Sequence, residues 1–95
     1  MNSGWPDNIG KTNRRGGYKV EDEIVEPQGD TKLVYVQKMR FKDGSLEYRF
    51  TYYVVAKKGT VLGRWVFANR SVFVPTEQLA KLLDKARVKK WEGFV

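Results

Sequence analysis

The chain has 95 residues, 41% of them hydrophobic, and a formal net charge of +7 with neither cysteine nor histidine. This length allows one small domain, and the absence of cysteine excludes disulfides and thiolate chemistry. Without histidine as well, the commonest acid–base and nucleophilic arrangements cannot be built, and the carboxylates show no metal-ligand spacing. We therefore predict a protein that is not an enzyme and uses neither cofactor nor metal.

The charge is divided along the chain. Residues 1–31 carry four basic and six acidic side chains, whereas residues 32–95 carry fourteen basic and five acidic ones. A basic domain behind a mildly acidic tail predicts an anionic partner. No apolar run approaches the ~20 residues of a membrane helix, and MNSGWPDNIGK lacks the apolar centre of a signal peptide. We expect a soluble intracellular protein, in the cytoplasm, a nucleoid or the nucleus, without membrane binding.

Residues 1–31 are predicted to be a largely disordered tail, because they hold five of the nine glycines and show no apolar periodicity. Within the tail, KTNRRGGYK (11–19) is a basic arm, interpreted as solvated chain with nucleic-acid contact as the alternative. EDEIVE (21–26) is interpreted as a solubilising run. A sharper hypothesis is that this acidic run competes with nucleic acid by folding onto a basic face.

The folded domain is predicted over residues 32–95, beginning with four strands. Alternating patterns predict strands over 32–42, 45–56, 60–69 and 72–74. Asp43-Gly44 is typical of a two-residue type I′ hairpin turn, and Lys57-Lys58-Gly59 predicts a second turn. These elements predict a four-stranded antiparallel meander.

One helix is predicted after Pro75, with Thr76 as its N-cap and an end near Lys90. Its apolar stripe falls at i, i+3, i+4 and i+7, on Leu79, Leu82, Leu83 and Ala86. The fold class is therefore α+β, in the order ββββα, with the helix on one face of the sheet and the other face open.

Alternation also sorts the candidate binding residues. It places Trp65 in the core beneath the helix and Tyr53 on the open face, where a base could stack on its ring. Lys57 and Lys58 lie at a turn tip. Contact with phosphate and exposure to solvent alone are equally expected for these two side chains. Five basic residues are expected to share one face and contact phosphates: Lys38, Arg40, Lys42, Arg49 and Arg64.

Residues 34–83 resemble the single-stranded-DNA-binding domain of the positive cofactor four family, whose architecture the Whirly proteins share. The resemblance is carried by Phe41-Lys42 at the first hairpin, by an aromatic residue twelve positions later at Tyr53, and by Lys57-Lys58-Gly59. It continues in the run from Arg70 to Leu82. The family usually has tryptophan where this chain has Tyr53. The resemblance implies that Phe41 stacks on a base, that Arg70 contacts DNA, and that the chain forms a homodimer through its helices.

The main hypothesis is a sequence-tolerant single-stranded-DNA-binding protein that supports transcription, replication or repair. An RNA-binding protein is the first alternative, because a charged sheet with exposed rings serves RNA equally well. A protein-interaction module is the second, in which the open sheet edge takes up a strand from an acidic partner.

Overall fold

The computed structural model describes residues 4–68 and 71–94, in which four strands precede one helix. The strands pair antiparallel, in chain order, in a single open sheet. The predicted α+β fold with the order ββββα is therefore confirmed. The elements are β1 (Tyr18–Pro27), β2 (Lys32–Phe41), β3 (Leu46–Val55), β4 (Trp65–Ala68) and α1 (Thr76–Val88).

Strand β1 lies inside the segment for which a disordered tail was predicted. It pairs with β2 along its whole length and buries Val20 and Ile24. Periodicity does not reveal this strand, because a β-bulge between Val20 and Asp22 shifts the alternation by one residue. The folded domain thus begins before Lys32, and the acidic run 21–26 belongs to the sheet.

The predicted strand over 72–74 is wrong. These residues form no strand, and Val72 and Val74 instead pack against the core between the sheet and α1. The third predicted strand is also shorter than expected, because residues 57–64 form a loop and β4 begins only at Trp65. The count of four strands is right because β1 takes the place of the segment 72–74.

Helix α1 covers one face of the sheet, which we call the helix side. Leu82 and Ala86 of the predicted apolar stripe are fully buried. The helix begins at Thr76, so the N-cap residue is Pro75 and not Thr76 as predicted. The core on this side consists of Ile24, Val34, Val36, Leu82, Ala86 and Trp91. Within the described residues, no helix combines the length and the apolar character that a membrane crossing requires.

The chain after α1 turns back onto the sheet and closes this core. The Trp91 ring is 2% exposed and stacks on Tyr48, with 5.4 Å between the ring centroids and 12° between the planes. Its indole N–H donates to the Asp22 carboxylate over 3.0 Å, and Lys89 Nζ donates to the same group over 2.9 Å. Burial alone would raise the pKa of Asp22, but these hydrogen bonds hold it below its ordinary value.

We call the hydrogen bonds that Asp22 accepts from Trp91 and Lys89 the Asp22 anchor. The anchor should make the stability of the fold depend on pH. Because the pKa of Asp22 is lower in the folded chain than in the unfolded chain, the ionised carboxylate stabilises the fold above about pH 4. That contribution is lost as the pH falls through the folded pKa. We expect Asp22→Asn to lower the free energy of unfolding by about 1 kcal/mol near neutral pH and by less in acid. Urea unfolding at neutral pH and near pH 3 measures both values.

A matched control is Asp30→Asn, which changes an exposed carboxylate in the turn between β1 and β2. We expect this control to unfold like the unchanged chain near neutral pH. An Asp22→Asn variant that loses as much stability in acid as the unchanged chain does would contradict the anchor.

Candidate nucleic-acid interface

The hairpin between β2 and β3 determines which side chains share a face. Phe41 N–H donates to the Ser45 carbonyl over 3.0 Å and Gly44 N–H donates to the Phe41 carbonyl over 2.9 Å, so the loop contains three residues, 42–44. Gly44 has φ 87°, whereas Asp43 does not adopt a positive φ. This is the geometry of a type I turn followed by a left-handed glycine, and not the two-residue type I′ turn that was predicted.

The extra loop residue shifts the register by one position and reverses the faces of β2 relative to β3. Lys38 lies opposite Tyr48 and Arg40 opposite Leu46, all on the helix side, while Gln37 lies opposite Arg49 on the other face. The prediction that Lys38 and Arg40 share a basic face with Arg49 is therefore wrong.

Lys38 and Arg40 instead form a cluster of four charges with Glu21 and Glu92. Lys38 Nζ lies 2.8 Å from the Glu92 carboxylate and 3.3 Å from that of Glu21. Arg40 lies 3.2 Å from Glu21 and 3.5 Å from Glu92. The hydrogen bond to Glu92 raises the pKa of Lys38, and the one to Glu21 raises the pKa of Arg40. Their positive charge is therefore largely neutralised within the chain.

The acidic run 21–26 supplies the partners of further lysines. Asp22 binds Lys89 and Glu26 binds Lys85, both on the helix side of β1. The run is therefore neither a free solubilising segment nor a competitor that folds onto an open basic face. Its carboxylates neutralise basic residues beside the helix.

The face opposite α1, which we call the ring face, collects aromatic side chains, but it is not open as predicted. Tyr35 and Met39 of β2 are buried there, and the amino-terminal segment packs on this part of the face, where the Tyr35 hydroxyl donates to the Pro6 carbonyl over 2.7 Å.

Tyr53 and Arg49 lie together on the ring face, as predicted. Trp65, predicted to lie beneath the helix, also belongs here, because it is directly opposite Val55, two residues after Tyr53. The loop 57–64 sets this pairing, and its length was not evident from the alternating pattern. The rings of this face are Tyr18, Phe41, Tyr53, Trp65 and Phe67.

Arg49 lies at the centre of the ring face. Its guanidinium carbon is 5.4 Å from the centroid of the Tyr18 ring and 5.8 Å from that of Phe67. Its Nε and Nη2 donate to Gln37 Oε1 over 2.9 and 2.7 Å, and its Nη1 donates to the Tyr18 hydroxyl over 3.1 Å. Arg49 is thus a cation held between two aromatic rings in a fixed orientation.

A buried network connects Arg49 to the amino-terminal segment. Gln37 Nε2 donates to the Glu23 carboxylate over 3.0 Å, and Asn8 donates to it from its backbone N–H over 2.9 Å and from its amide over 3.2 Å. The Tyr53 hydroxyl donates to Asn8 Oδ1 over 3.0 Å. Burial raises the pKa of Tyr53. Tyr53 is therefore half-buried with its hydroxyl engaged, and less of its ring is available to a base than the sequence suggested.

A cleft of about 260 Å³ opens on the ring face, and we call it the Arg49 cleft. Phe67 forms an exposed wall, since 46% of its surface is accessible. The volume is below the range of about 300–1,000 Å³ that drug-sized ligands occupy, so the cleft suits a single flat ring. Its lining residues are Asn8, Lys11, Thr12, Tyr18, Val20, Arg49, Tyr53 and Phe67.

A basic hairpin, residues 11–19, stands beside the Arg49 cleft. Thr12 pairs with Lys19, and the Asn13 side chain accepts the Tyr18 N–H over 3.2 Å, which holds the turn. Arg14 and Arg15 are exposed at the tip. These residues are not among the site residues predicted from the sequence, where the arm is interpreted as solvated chain. The feature of the sequence that could have indicated this hairpin is the composition of residues 11–19, in which basic residues flank an Asn and two glycines that suit a turn.

The other predicted cations lie apart from Arg49. Lys42 is exposed in the hairpin loop, next to the basic hairpin, because its N–H donates to the Gly17 carbonyl over 3.3 Å. Lys57, Lys58 and Arg64 are exposed in the loop 57–64, at the opposite end of β3. At ~3.3 Å per residue, the ten residues of β3 separate the two ends by roughly 30 Å. Arg70 lies outside the described residues.

A larger groove of about 530 Å³ runs along the outer edge of β1, between that strand and α1. Trp5, Ile9 and Val88 make it mainly apolar, and its two lysines are those bound to Asp22 and Glu26. It therefore lacks the unpaired cations that a phosphate backbone requires.

Comparison of the chain with protein-family models, with curated proteins and with solved structures found no match. The function proposed below therefore depends on the chemistry of the ring face and the basic hairpin.

Proposed function

We propose that the chain is a sequence-tolerant, non-enzymatic single-stranded-DNA-binding protein that supports transcription, replication or repair inside the cell. One observation carries this proposal: the Arg49 cleft, lined by rings, opens directly beside a basic hairpin. A single strand presents phosphates and unstacked bases together, and proteins hold it with a positive groove and aromatic rings. The resemblance to the positive cofactor four family implies the same class of ligand.

The single-stranded DNA would run along the accessible part of the ring face, on β3 and β4, between its two basic ends. Bases would stack on the rings that remain accessible, of which Phe67 is the most exposed, with Phe41 and Trp65 half-exposed. The length of the face, roughly 30 Å, suits several nucleotides. Phosphates would contact Arg14, Arg15 and Lys42 at one end and Lys57, Lys58 and Arg64 at the other.

Removing the ring of Phe67 should weaken binding of single strands selectively. We expect Phe67→Ala to cost about 1–3 kcal/mol of binding free energy, because stacking on one ring typically contributes that much. Fluorescence anisotropy with a labelled single-stranded DNA measures the loss. Duplex DNA and RNA of the same sequence are titrated in parallel, and tighter binding of RNA than of DNA would favour the RNA-binding alternative.

Phe50→Ala is the matched control, because Phe50 is 41% exposed but lies on the helix side. We expect this control to bind single strands like the unchanged chain, and its mass in solution is measured alongside. Equal losses from Phe67→Ala and Phe50→Ala, or equal losses on single strands and duplex, would count against stacking on the ring face.

The basic hairpin should contribute to the salt dependence of binding. Each phosphate contact on a single strand adds about 0.7 to the slope of log K against log salt concentration. We expect Arg14→Ala and Arg15→Ala each to reduce that slope by about this amount. Lys81→Ala, which removes an exposed charge on α1, should leave it unchanged. Slopes that stay the same in both arginine variants would contradict a phosphate contact at the hairpin tip.

We further propose that the chain forms a homodimer through the helix side. Phe73 is 85% exposed there, in the segment that leads into α1, and Val88 near the end of α1 is 82% exposed. Burying these side chains against a second copy would leave both ring faces accessible. We expect a mass in solution of twice the 11.0 kDa of one chain, and the mass of one chain for Phe73→Asp. A monomeric mass for the unchanged protein would rule out the dimer.

A further inference from the structure

We infer that the Arg49 cleft holds one base and prefers bases with a carbonyl oxygen at position 4 of a pyrimidine or position 6 of a purine, namely uracil, thymine and guanine, over cytosine and adenine, which carry an amino group there. This inference rests on the proposed function, and it adds a base preference to a protein that otherwise tolerates any sequence. The shape of the cleft, its unused donors and its occupied acceptors support it.

The shape of the cleft fits a single flat ring. Tyr53 meets Phe67 edge to face, with 5.6 Å between the centroids and 78° between the planes. The Arg49 guanidinium carbon lies over the Phe67 ring, 5.8 Å from its centroid, and 46% of the Phe67 surface remains exposed. The same guanidinium lies 5.4 Å from the centroid of the Tyr18 ring. A base that stacks on the exposed part of Phe67 therefore lies next to Arg49, with its polar edge towards the guanidinium.

The polar groups around that position are mostly donors. Arg49 has five N–H groups and uses three of them on Gln37 and Tyr18, which leaves one on each terminal nitrogen without a partner among the described residues. Lys11 Nζ makes one long hydrogen bond, 3.4 Å, to Asn8 Oδ1 and retains further protons. The Tyr18 hydroxyl accepts from Arg49, so its own proton is available to donate.

The strongest acceptors near the cleft are already occupied. Asn8 Oδ1 accepts from Tyr53 and from Lys11. The Glu23 carboxylate is buried and accepts three hydrogen bonds, and Gln37 Oε1 accepts two from Arg49. Among the described lining side chains, accepting capacity remains on the hydroxyls of Thr12 and Tyr53. The cleft therefore offers more hydrogen-bond donors than acceptors, and it carries positive charge.

A donor-rich cleft discriminates between base edges. Guanine presents O6 and N7 as acceptors and thymine presents O4, whereas cytosine and adenine present amino groups at the corresponding positions. An amino group placed against Arg49 and Lys11 would oppose donor to donor and leave both without a partner. The preference should be modest, because a cleft open to solvent lets water replace a missing partner.

Oligodeoxyuridine and oligodeoxycytidine of equal length provide the test, because the backbone is the same and the bases differ in carrying a carbonyl or an amino group at position 4. We expect the unchanged protein to bind oligodeoxyuridine about 3- to 10-fold more tightly at one salt concentration, as net hydrogen-bond contributions imply. In Lys11→Met and in Arg49→Lys the ratio should fall towards one. Arg15→Met is the matched control, in which both affinities should fall together and the ratio should persist.

Each outcome has a defined meaning. Equal affinities for the two oligonucleotides in the unchanged protein would overturn the base preference and leave the proposed function standing. A preference that persists in both Lys11→Met and Arg49→Lys would show that another part of the surface discriminates the bases, which overturns the assignment to the cleft. Absence of binding to either oligonucleotide would overturn the proposed function and the inference with it. Urea unfolding of each variant confirms that the fold is retained.

Discussion

The left-handed conformation of Gly44 is the constraint on which the two faces of this sheet depend. It closes a three-residue loop and fixes Gln37 opposite Arg49. With that register, Val34 and Val36 face the helix, and the guanidinium of Arg49 enters the ring face. A shift of one residue would turn β2 over relative to β3, which would remove Val34 and Val36 from the core beneath the helix and move Arg40 to the ring face. The core and the candidate site are thus consequences of a single hairpin geometry.

The same register divides the charge of the molecule. On the helix side, carboxylates of β1 and Glu92 bind Lys38, Arg40, Lys85 and Lys89. Several of these pairs are partly exposed, and exposed ion pairs add little stability, so their main consequence is electrostatic. On the ring face, the Glu23 carboxylate is buried and accepts three hydrogen bonds, and Glu47, two residues before Arg49 on β3, is exposed. Much of the net positive charge therefore remains on the surface where a polyanion would bind.

Patterning in the sequence was sufficient for β2 and β3, for the buried stripe of α1 and for the shared face of Tyr53 and Arg49. The predicted order ββββα agrees with the structure, although β1 replaces the strand that was expected over 72–74. Patterning gave wrong faces where one extra residue shifts the alternation of a strand by one position. Asp43-Gly44 fits both a two-residue and a three-residue loop, and local sequence does not distinguish them. The bulge after Val20 hid β1 in the same way, because alternation resumes on the other face. Trp65 was misplaced because its pairing depends on how many residues the loop 57–64 contains.

The buried network also changes which groups are best suited to bind a ligand. Tyr53, the ring favoured by its position in the sequence, uses its hydroxyl to hold Asn8, and its ring packs against Tyr35 and Phe67. The Phe67 side chain makes no hydrogen bond, and much of its surface is exposed. Arg49 is ordered before any ligand arrives, since Gln37 and Tyr18 fix its guanidinium. Less side-chain entropy is then lost on binding, which favours affinity. Because Glu23 connects Gln37 with Asn8, the position of the amino-terminal segment and the orientation of Arg49 depend on the same buried carboxylate.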